Sequence, residues 1–285
     1  YVGNDAEENN LYLGGPEFPF QCEGVIAGVA FSMFGGEEGT MGVDVGDFDG
    51  DQLPDLWWCN FAGQDNSLAR KSDGPGFTTV GDTTRMVGRS WLWTGFGTGF
   101  TDFDSDGWPD IFIANGHVWF DALRSPYHQP AQLFRNEQGK WFSELTEQGG
   151  PYFSIPHAGR GAAAGDLDND GAPDLVISHQ NEPVAVLRNR LPAEHWVRVQ
   201  LRGTTSNTDG IGAKLTARYG DRVLARWIRG GGSYASCFDP RVLFPAEDDS
   251  PIDVTVKWPS GITEVFTDLA QKQTHVLIEG AGQRS

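Results

Sequence analysis

Asp102-Phe103-Asp104-Ser105-Asp106-Gly107-Trp108-Pro109-Asp110 sets carboxylates at positions 1, 3, 5 and 9 of a nine-residue loop. Position 7 adds a backbone carbonyl. A hard dication such as Ca2+ takes about six to eight oxygens from carboxylates, carbonyls and water. Alternate acidic residues in a tight loop aim such oxygens at one point. Without a cation they repel one another.

Two further stretches repeat the pattern. They are Asp47-Phe48-Asp49-Gly50-Asp51-Gln52-Leu53-Pro54-Asp55 and Asp166-Leu167-Asp168-Asn169-Asp170-Gly171-Ala172-Pro173-Asp174. Their first aspartates are 55 and 64 residues apart. One such loop also reads as a solvated acidic turn, a reading that three in register disfavour. Pro at position 8 pushes residue 7 into an extended conformation, which helps aim its carbonyl. Repeats at a long period predict an array or a propeller.

The loops are like EF-hands over their first half only. Position 12 is Trp58, Ile113 or Ile177, where an EF-hand needs Glu. Those residues close the apolar runs Leu56-Trp57-Trp58, Ile111-Phe112-Ile113 and Leu175-Val176-Ile177, which read as buried strands. The second repeat predicts strands over 97–100, 111–114, 131–135 and 140–145, the count of a propeller blade. An insert over 117–130 separates them. Residues 1–13 fit half of such a repeat, with the aspartate loop missing before it. The glycines of Gly95-Phe96-Gly97-Thr98-Gly99 do not match a dinucleotide loop, because no helix follows. They predict close packing of inner strands around a channel.

After Arg190-Leu191-Pro192-Ala193-Glu194, a linker, the pattern changes to clean alternation. Val197, Val199 and Leu201 share a face. So do Ile211, Ala213, Leu215, Ala217 and Tyr219, and Ile252, Val254, Val256 and Trp258. Period-2 alternation predicts a half-buried antiparallel sandwich. The expected division is 1–190 for the blades and 191–285 for a metal-free tail.

The formal net charge is −18, and twelve of the 39 acidic residues lie in the three loops. Three dications would leave about −12. That balance argues against nucleic acid and anionic membranes as partners. No apolar run approaches the roughly 20 residues of a membrane helix. Cys22, Cys59 and Cys237 lack metal spacing; a Cys22–Cys59 bridge and buried free thiols both fit. Residue 1 is Tyr and no signal peptide is visible, so the chain is expected to be a processed product or the C-terminal piece of a larger propeller.

The loops at Asp47, Asp102 and Asp166 resemble the FG-GAP or VCBS repeats of integrin-α-type propellers. Gly210-Ile211-Gly212-Ala213, Gly232-Ser233-Tyr234 and Lys257-Trp258-Pro259-Ser260-Gly261 resemble the ASPIC/UnbV domain. Together, with Thr40-Met41-Gly42-Val43 and Ile113-Ala114-Asn115-Gly116-His117-Val118, they look like the cartilage acidic protein family and its bacterial secreted relatives. The resemblance implies an all-β chain: a partial FG-GAP/VCBS propeller, then a small antiparallel β-sandwich-like domain. It implies up to three Ca2+, held by Asp47, Asp49, Asp51 and Asp55; by Asp102, Asp104, Asp106 and Asp110; and by Asp166, Asp168, Asp170 and Asp174. The carbonyls of Leu53, Trp108 and Ala172 complete the sets. Loop 1 departs from the pattern, with Gln52 where Gly107 and Gly171 stand. A Gln at positive φ is strained, so this site should bind more weakly.

No His-Glu-x-x-His or Gly-x-Ser-x-Gly occurs, and His117, His128, His157, His179, His195 and His275 are scattered. Trp91, Trp93, Trp108 and Trp119 surround the second repeat and suit blade packing or a binding face. The favoured function is therefore a calcium-binding secreted or cell-surface module that engages protein or polysaccharide. The alternative is an enzyme or biosynthetic accessory protein with its site in the channel. A plugged channel beside exposed aromatics would favour binding; convergent polar groups with shifted pKa values would favour catalysis.

Overall fold

The computed structural model describes residues 1–15, 18–120 and 125–284. Positions 121–124, inside the insert expected over 117–130, lie outside the described residues. The chain is all-β. Short N-terminal strands come first: β1 (Asp5–Glu7), β2 (Tyr12–Leu13), β3 (Gln21–Cys22) and β4 (Glu38–Gly39). Three blades follow. Blade 1 is β5 (Val43–Gly46), β6 (Asp55–Trp58), β7 (Ser67–Lys71) and β8 (Phe77–Thr79). Blade 2 is β9 (Gly95–Thr101), β10 (Asp110–Asn115), β11 (Gln132–Asn136) and β12 (Phe142–Glu144). Blade 3 is β13 (Gly159–Gly165), β14 (Asp174–His179) and β15 (Ala185–Leu187). Within each blade the strands pair antiparallel in sequence order, and the aspartate loop joins the first to the second.

The second strands of blades 1 and 2 carry runs of apolar residues because each feeds two cores. Ile111 and Ile113 of β10 join Trp57, Phe100 and Phe134 between blades 1 and 2. Phe112 and Ala114 point the other way, to Ala162, Leu175 and Ile177 of blade 3. Strand alternation thus sends successive apolar side chains of β6 and β10 into opposite interfaces. On the outer face of blade 1, Leu56 and Trp58 are covered by Ala27 and Val29, with Tyr1 and Leu11 beside them. The N-terminal segment occupies the place of a neighbouring blade. Its half-repeat character is visible in hydrogen bonding: Asn4 N–H donates to Asn9 Oδ1 (2.7 Å) as Asn60 N–H donates to Asn66 Oδ1 (2.8 Å). The glycines of β9 do permit close approach. A Cβ at Gly97 would collide with the Ala162 and Arg160 backbone of β13, and one at Gly99 with the Phe238 ring.

The tail packs two sheets around one core. One sheet is β16 (Trp196–Arg202) between β19 (Val242–Pro245) and β22 (Thr274–Ile278). The other runs β18 (Arg222–Trp227), β17 (Lys214–Tyr219), β20 (Ile252–Lys257), β21 (Thr263–Leu269) and β23 (Gln283–Arg284). The β16–β22 pair is parallel, unlike the rest. Val197, Val199, Leu201, Ala213, Leu215, Ala217, Val254, Val256 and Trp258 are all in the core, as the alternation predicts. Ile211 is the exception, at 44% exposed, because Gly210 and Gly212 turn the chain there at positive φ. No Cys22–Cys59 bridge forms: all three thiols are free, with Cys59 buried against Gly95 and Cys22 exposed.

The tail does not stand apart from the blades. Its 232–236 segment lies among the innermost strands β5, β9 and β13. Ser233 exchanges backbone hydrogen bonds with Val43 (2.7 and 3.2 Å). The Ser233 hydroxyl accepts from Thr98 N–H (3.0 Å) and donates to the Ala162 carbonyl (2.6 Å). Ser236 donates to the same carbonyl (2.8 Å), and the Tyr234 ring packs edge-on against Phe96. The centre of the propeller is filled by its own chain.

Candidate metal centres

The three loops are wound alike. Positions 4 and 6 are left-handed: Gly50 (φ 79°) and Gln52 (66°), Ser105 (59°) and Gly107 (84°), Asn169 (63°) and Gly171 (93°). Gln52 therefore does take the strained conformation that its position implies. This winding turns N–H groups onto the first aspartate. Asp47 accepts from Gly50 and Gln52 (2.8 and 3.0 Å), Asp102 from Asp106 and Gly107 (3.1 and 2.9 Å), and Asp166 from Asp170 and Gly171 (3.1 and 2.7 Å).

The ninth residue ties the loop to the third strand. Asp55 accepts from Phe48 and Lys71 N–H, Asp110 from Phe103 and Asn136, and Asp174 from Leu167 and Asn189, all at 2.8–3.0 Å. Positions 3 and 5 share an arginine from the third strand or just after it. Arg70 pairs with Asp49 and Asp51 (2.6 and 3.6 Å), Arg135 with Asp104 and Asp106 (2.7 and 3.1 Å), and Arg188 with Asp168 and Asp170 (2.6 and 3.0 Å). The next residue links blades: Asn136 Nδ2 donates to the Phe48 carbonyl and Asn189 Nδ2 to that of Phe103. The recurring Arg-Asn at 135–136 and 188–189 was the available sequence signal for both roles.

What converges is positions 1, 3 and 9. Carboxylate oxygens of Asp47, Asp49 and Asp55 lie within 4.8 Å of one another, as do those of Asp102, Asp104 and Asp110, and of Asp166, Asp168 and Asp174. The fifth residues are outside these groups. Asp51, Asp106 and Asp170 accept from the N–H of Leu53, Trp108 and Ala172 (2.8, 2.9 and 3.0 Å) while facing the arginines. An all-oxygen carboxylate set fits a hard dication.

The electrostatics show how costly the uncompensated arrangement is. Burial pushes the Asp102 carboxyl up to about 7; nearby Asp106 and Asp104 add to this and Arg226 opposes it. Burial also raises Asp55 to about 8, against hydrogen bonds from Lys71 and Phe48, and Asp47 to about 6. Asp110 is raised well above the usual range, again chiefly by burial.

Basic side chains of the tail reach every loop. Lys214 Nζ donates to the Gln52 carbonyl (2.8 Å). Arg222 donates to the Asp106 carbonyl (2.6 Å), with its guanidinium over the Trp108 ring (4.1 Å), and Arg226 donates to the Gly107 carbonyl (3.4 Å). Arg198 pairs with the Asp166 carboxylate and donates to Asn169 Oδ1 (2.7 Å); Arg241 reaches the Asp166 carbonyl (3.3 Å). A cavity of about 150 Å3 lies between, bordered by Asp47, Asp102, Asp166, Arg226, Arg229 and Phe238. Arg229 pairs there with Asp44.

The FG-GAP-like repeat family matches residues 47–113 and 102–177, and the ASPIC and UnbV family matches residues 203–284. Cartilage acidic protein 1 of Mus musculus is 30% identical over 187 residues, 62% of this chain and 27% of that protein. The Homo sapiens protein is 32% identical over 169 residues, 56% of this chain and 24% of that one. The chain joins FG-GAP-like repeats to an ASPIC and UnbV region and is similar to cartilage acidic protein 1. It spans about a quarter of the length of these relatives. The loops of this cartilage acidic protein relative lie in its FG-GAP-like repeats, and Lys214, Arg222, Arg226 and Arg241 lie in its ASPIC and UnbV region. A solved Agrocybe aegerita lectin, described as recognising non-reducing terminal N-acetylglucosamine, covers 67% of the chain and 48% of its own at 17% identity, with a TM-score of 0.36, too low to bear on function.

The end of the propeller away from the loops differs in character. Trp91, Trp119 and Phe120 are 53, 65 and 75% exposed there. Trp119 packs edge-on to Phe61 (6.1 Å), and buried His117 accepts from Trp119 N–H (3.1 Å), a local role. Trp108, by contrast, is wedged at the blade 1–blade 2 boundary against Gly50 and Gly139. The fold also gathers three scattered histidines. Glu182 bonds His157 Nδ1 (2.7 Å) and lies 3.6 Å from His128 Nε2; Tyr152 stacks on His157 and bonds His179 (2.8 Å). Nothing in the spacing of 128, 157 and 179 announces that group. Among the described residues, no helix is long and apolar enough to cross a membrane.

Proposed function

We propose that the chain is a calcium-binding, non-enzymatic module of a secreted or cell-surface protein, whose open end engages protein or polysaccharide. The 232–236 segment carries this reading: Ser233 and Ser236 sit among the innermost strands, and the cavity left beside them is about 150 Å3. The shifted carboxylates nearby are engaged in the loops or, as Asp44 is with Arg229, paired with arginine. Exposed Trp91, Trp119 and Phe120 at the open end suit stacking on a sugar or a partner surface. The net charge of −18 disfavours nucleic acid as that partner.

Ca2+ is the cation that the donor sets suit. Asp47, Asp49 and Asp55, Asp102, Asp104 and Asp110, and Asp166, Asp168 and Asp174 would hold it, joined by the fifth aspartates and by the carbonyls of Leu53, Trp108 and Ala172. The bound ion would neutralise the loop carboxylates. Mg2+ competes poorly, because it keeps its waters and demands a near-octahedral shell. Calorimetric titration of chelator-stripped protein is expected to show two tight sites and a weaker one at loop 1, tightened in Gln52→Gly. No heat at millimolar calcium would reduce the loops to acidic turns. For the binding role, a glycan and protein array probed with wild type and Trp119→Ala decides. A signal lost in the variant supports the open end; a signal unchanged by it moves the binding face elsewhere.

A further inference from the structure

Five basic side chains of the tail touch the three loops, and the nature of their acceptors is informative. Lys214, Arg222, Arg226 and Arg241 all reach main-chain carbonyls, those of Gln52, Asp106, Gly107 and Asp166. Of the five, Arg198 alone pairs closely with a loop carboxylate, that of Asp166; Arg226 is 3.9 Å from Asp102, and Arg241 pairs with Asp239 outside the loops. A carbonyl inside such a loop points in a fixed direction only while the loop is wound. The winding depends on left-handed residues at positions 4 and 6 and on like-charged carboxylates held together. A bound cation relieves that repulsion and leaves the carbonyl acceptors in place.

The strands that grip the 232–236 segment lead into the same loops. β5 ends at Gly46 before Asp47, β9 at Thr101 before Asp102, and β13 at Gly165 before Asp166. Ser233 is bonded to Val43, Thr98 and Ala162 on these three strands. The tail therefore contacts each loop and each strand that feeds one.

We propose that calcium in the three loops locks the tail onto the propeller, so that loading of the loops and docking of the tail form one coupled equilibrium. The proposal rests on the calcium reading above. Its sign follows from the acceptors. Attraction of arginines to bare carboxylates would make loading weaken docking. Hydrogen bonds to carbonyls of an ordered loop make loading strengthen it. The coupling is reciprocal: whatever factor calcium adds to docking, docking adds to calcium affinity, typically about 5- to 150-fold.

The test pairs calorimetric calcium titration with amide hydrogen exchange on the 1–285 chain. Calcium is expected to slow exchange at Ser233 and its neighbours by at least about five-fold. Amides of β21, which touches none of the loops, stay unchanged. The Arg222→Gln/Arg226→Gln variant is expected to lose that protection and to bind calcium more weakly by a similar factor. Calcium binding with no change at Ser233 overturns the proposal and leaves the calcium reading standing. Absence of binding removes both. The wild-type measurements decide even where the double variant does not fold.

Discussion

The blades and the tail bury carboxylates in opposite ways. In the tail, Glu279 is 3% exposed and accepts from the N–H groups of Thr204, Thr205 and Ser206 and from the hydroxyls of Ser206 and Ser260. Burial pushes its carboxyl up, but the bonds from Ser260 and the Thr204–Ser206 backbone outweigh it and hold the pKa at about 2. In the blades, Asp55 accepts only two N–H bonds, has Asp49 and Asp51 close by, and is raised to about 8, chiefly by burial. One region completes its charge with its own donors; the other leaves it incomplete, as the proposed cation sites would require. Glu264, buried in the tail with Oε1 unpartnered, is the exception on that side.

Removing the cation tests this contrast most severely. At free calcium about 100 times Kd, a site stabilises by about 2.7 kcal/mol, so the two tight sites contribute roughly 5 kcal/mol and loop 1 adds less. Scanning calorimetry with chelator is expected to shift blade melting by many degrees and the melting of the tail core far less. Equal shifts would break the comparison.

The tail should instead be sensitive to its apolar core. Leu215 is fully buried among fourteen core residues. Leu215→Ala is expected to cost about 2–5 kcal/mol, by the same amount with and without calcium. Denaturant unfolding under both conditions checks this, and a calcium-dependent cost would count against an independent tail core.

A single loop ligand is expected to have a smaller effect. Asp104→Ala should lose at most about 2.7 kcal/mol more with calcium present than without it, because the lost Arg135 pair is common to both states. Asp253→Ala, exposed on the tail, should stay within about 0.5 kcal/mol. Melting curves of the two variants separate the regions; similar losses would mean that the loops hold no structural ion.

The smallest effect is a pH dependence. The pKa of Glu279 is depressed in the fold, to about 2, against about 4.3 for a free side chain. Its stabilisation is therefore complete above the unfolded value and is lost as pH falls through the folded one. Glu279→Gln is expected to flatten the decline in tail melting temperature between about pH 4 and pH 2. An unchanged slope would mean that the Thr204–Ser206 cradle is not what holds the carboxylate.

Local pattern was legible before any fold. The nine-residue loops, the strands behind them, the glycines of β9 and the alternating faces of the tail are periodicities within a few residues, and steric and hydration preferences act at that range. The position-6 strain at Gln52 was equally readable. Ile211 was misplaced because two glycines interrupt its strand. What only the tertiary structure decided joins distant residues. Ser233 meets Thr98 across 135 positions, Arg222 meets Asp106 across 116, and His157 meets Glu182 across 25. No periodicity links such partners, because blade packing and tail docking choose them, and both follow from how whole sheets bury their faces against one another.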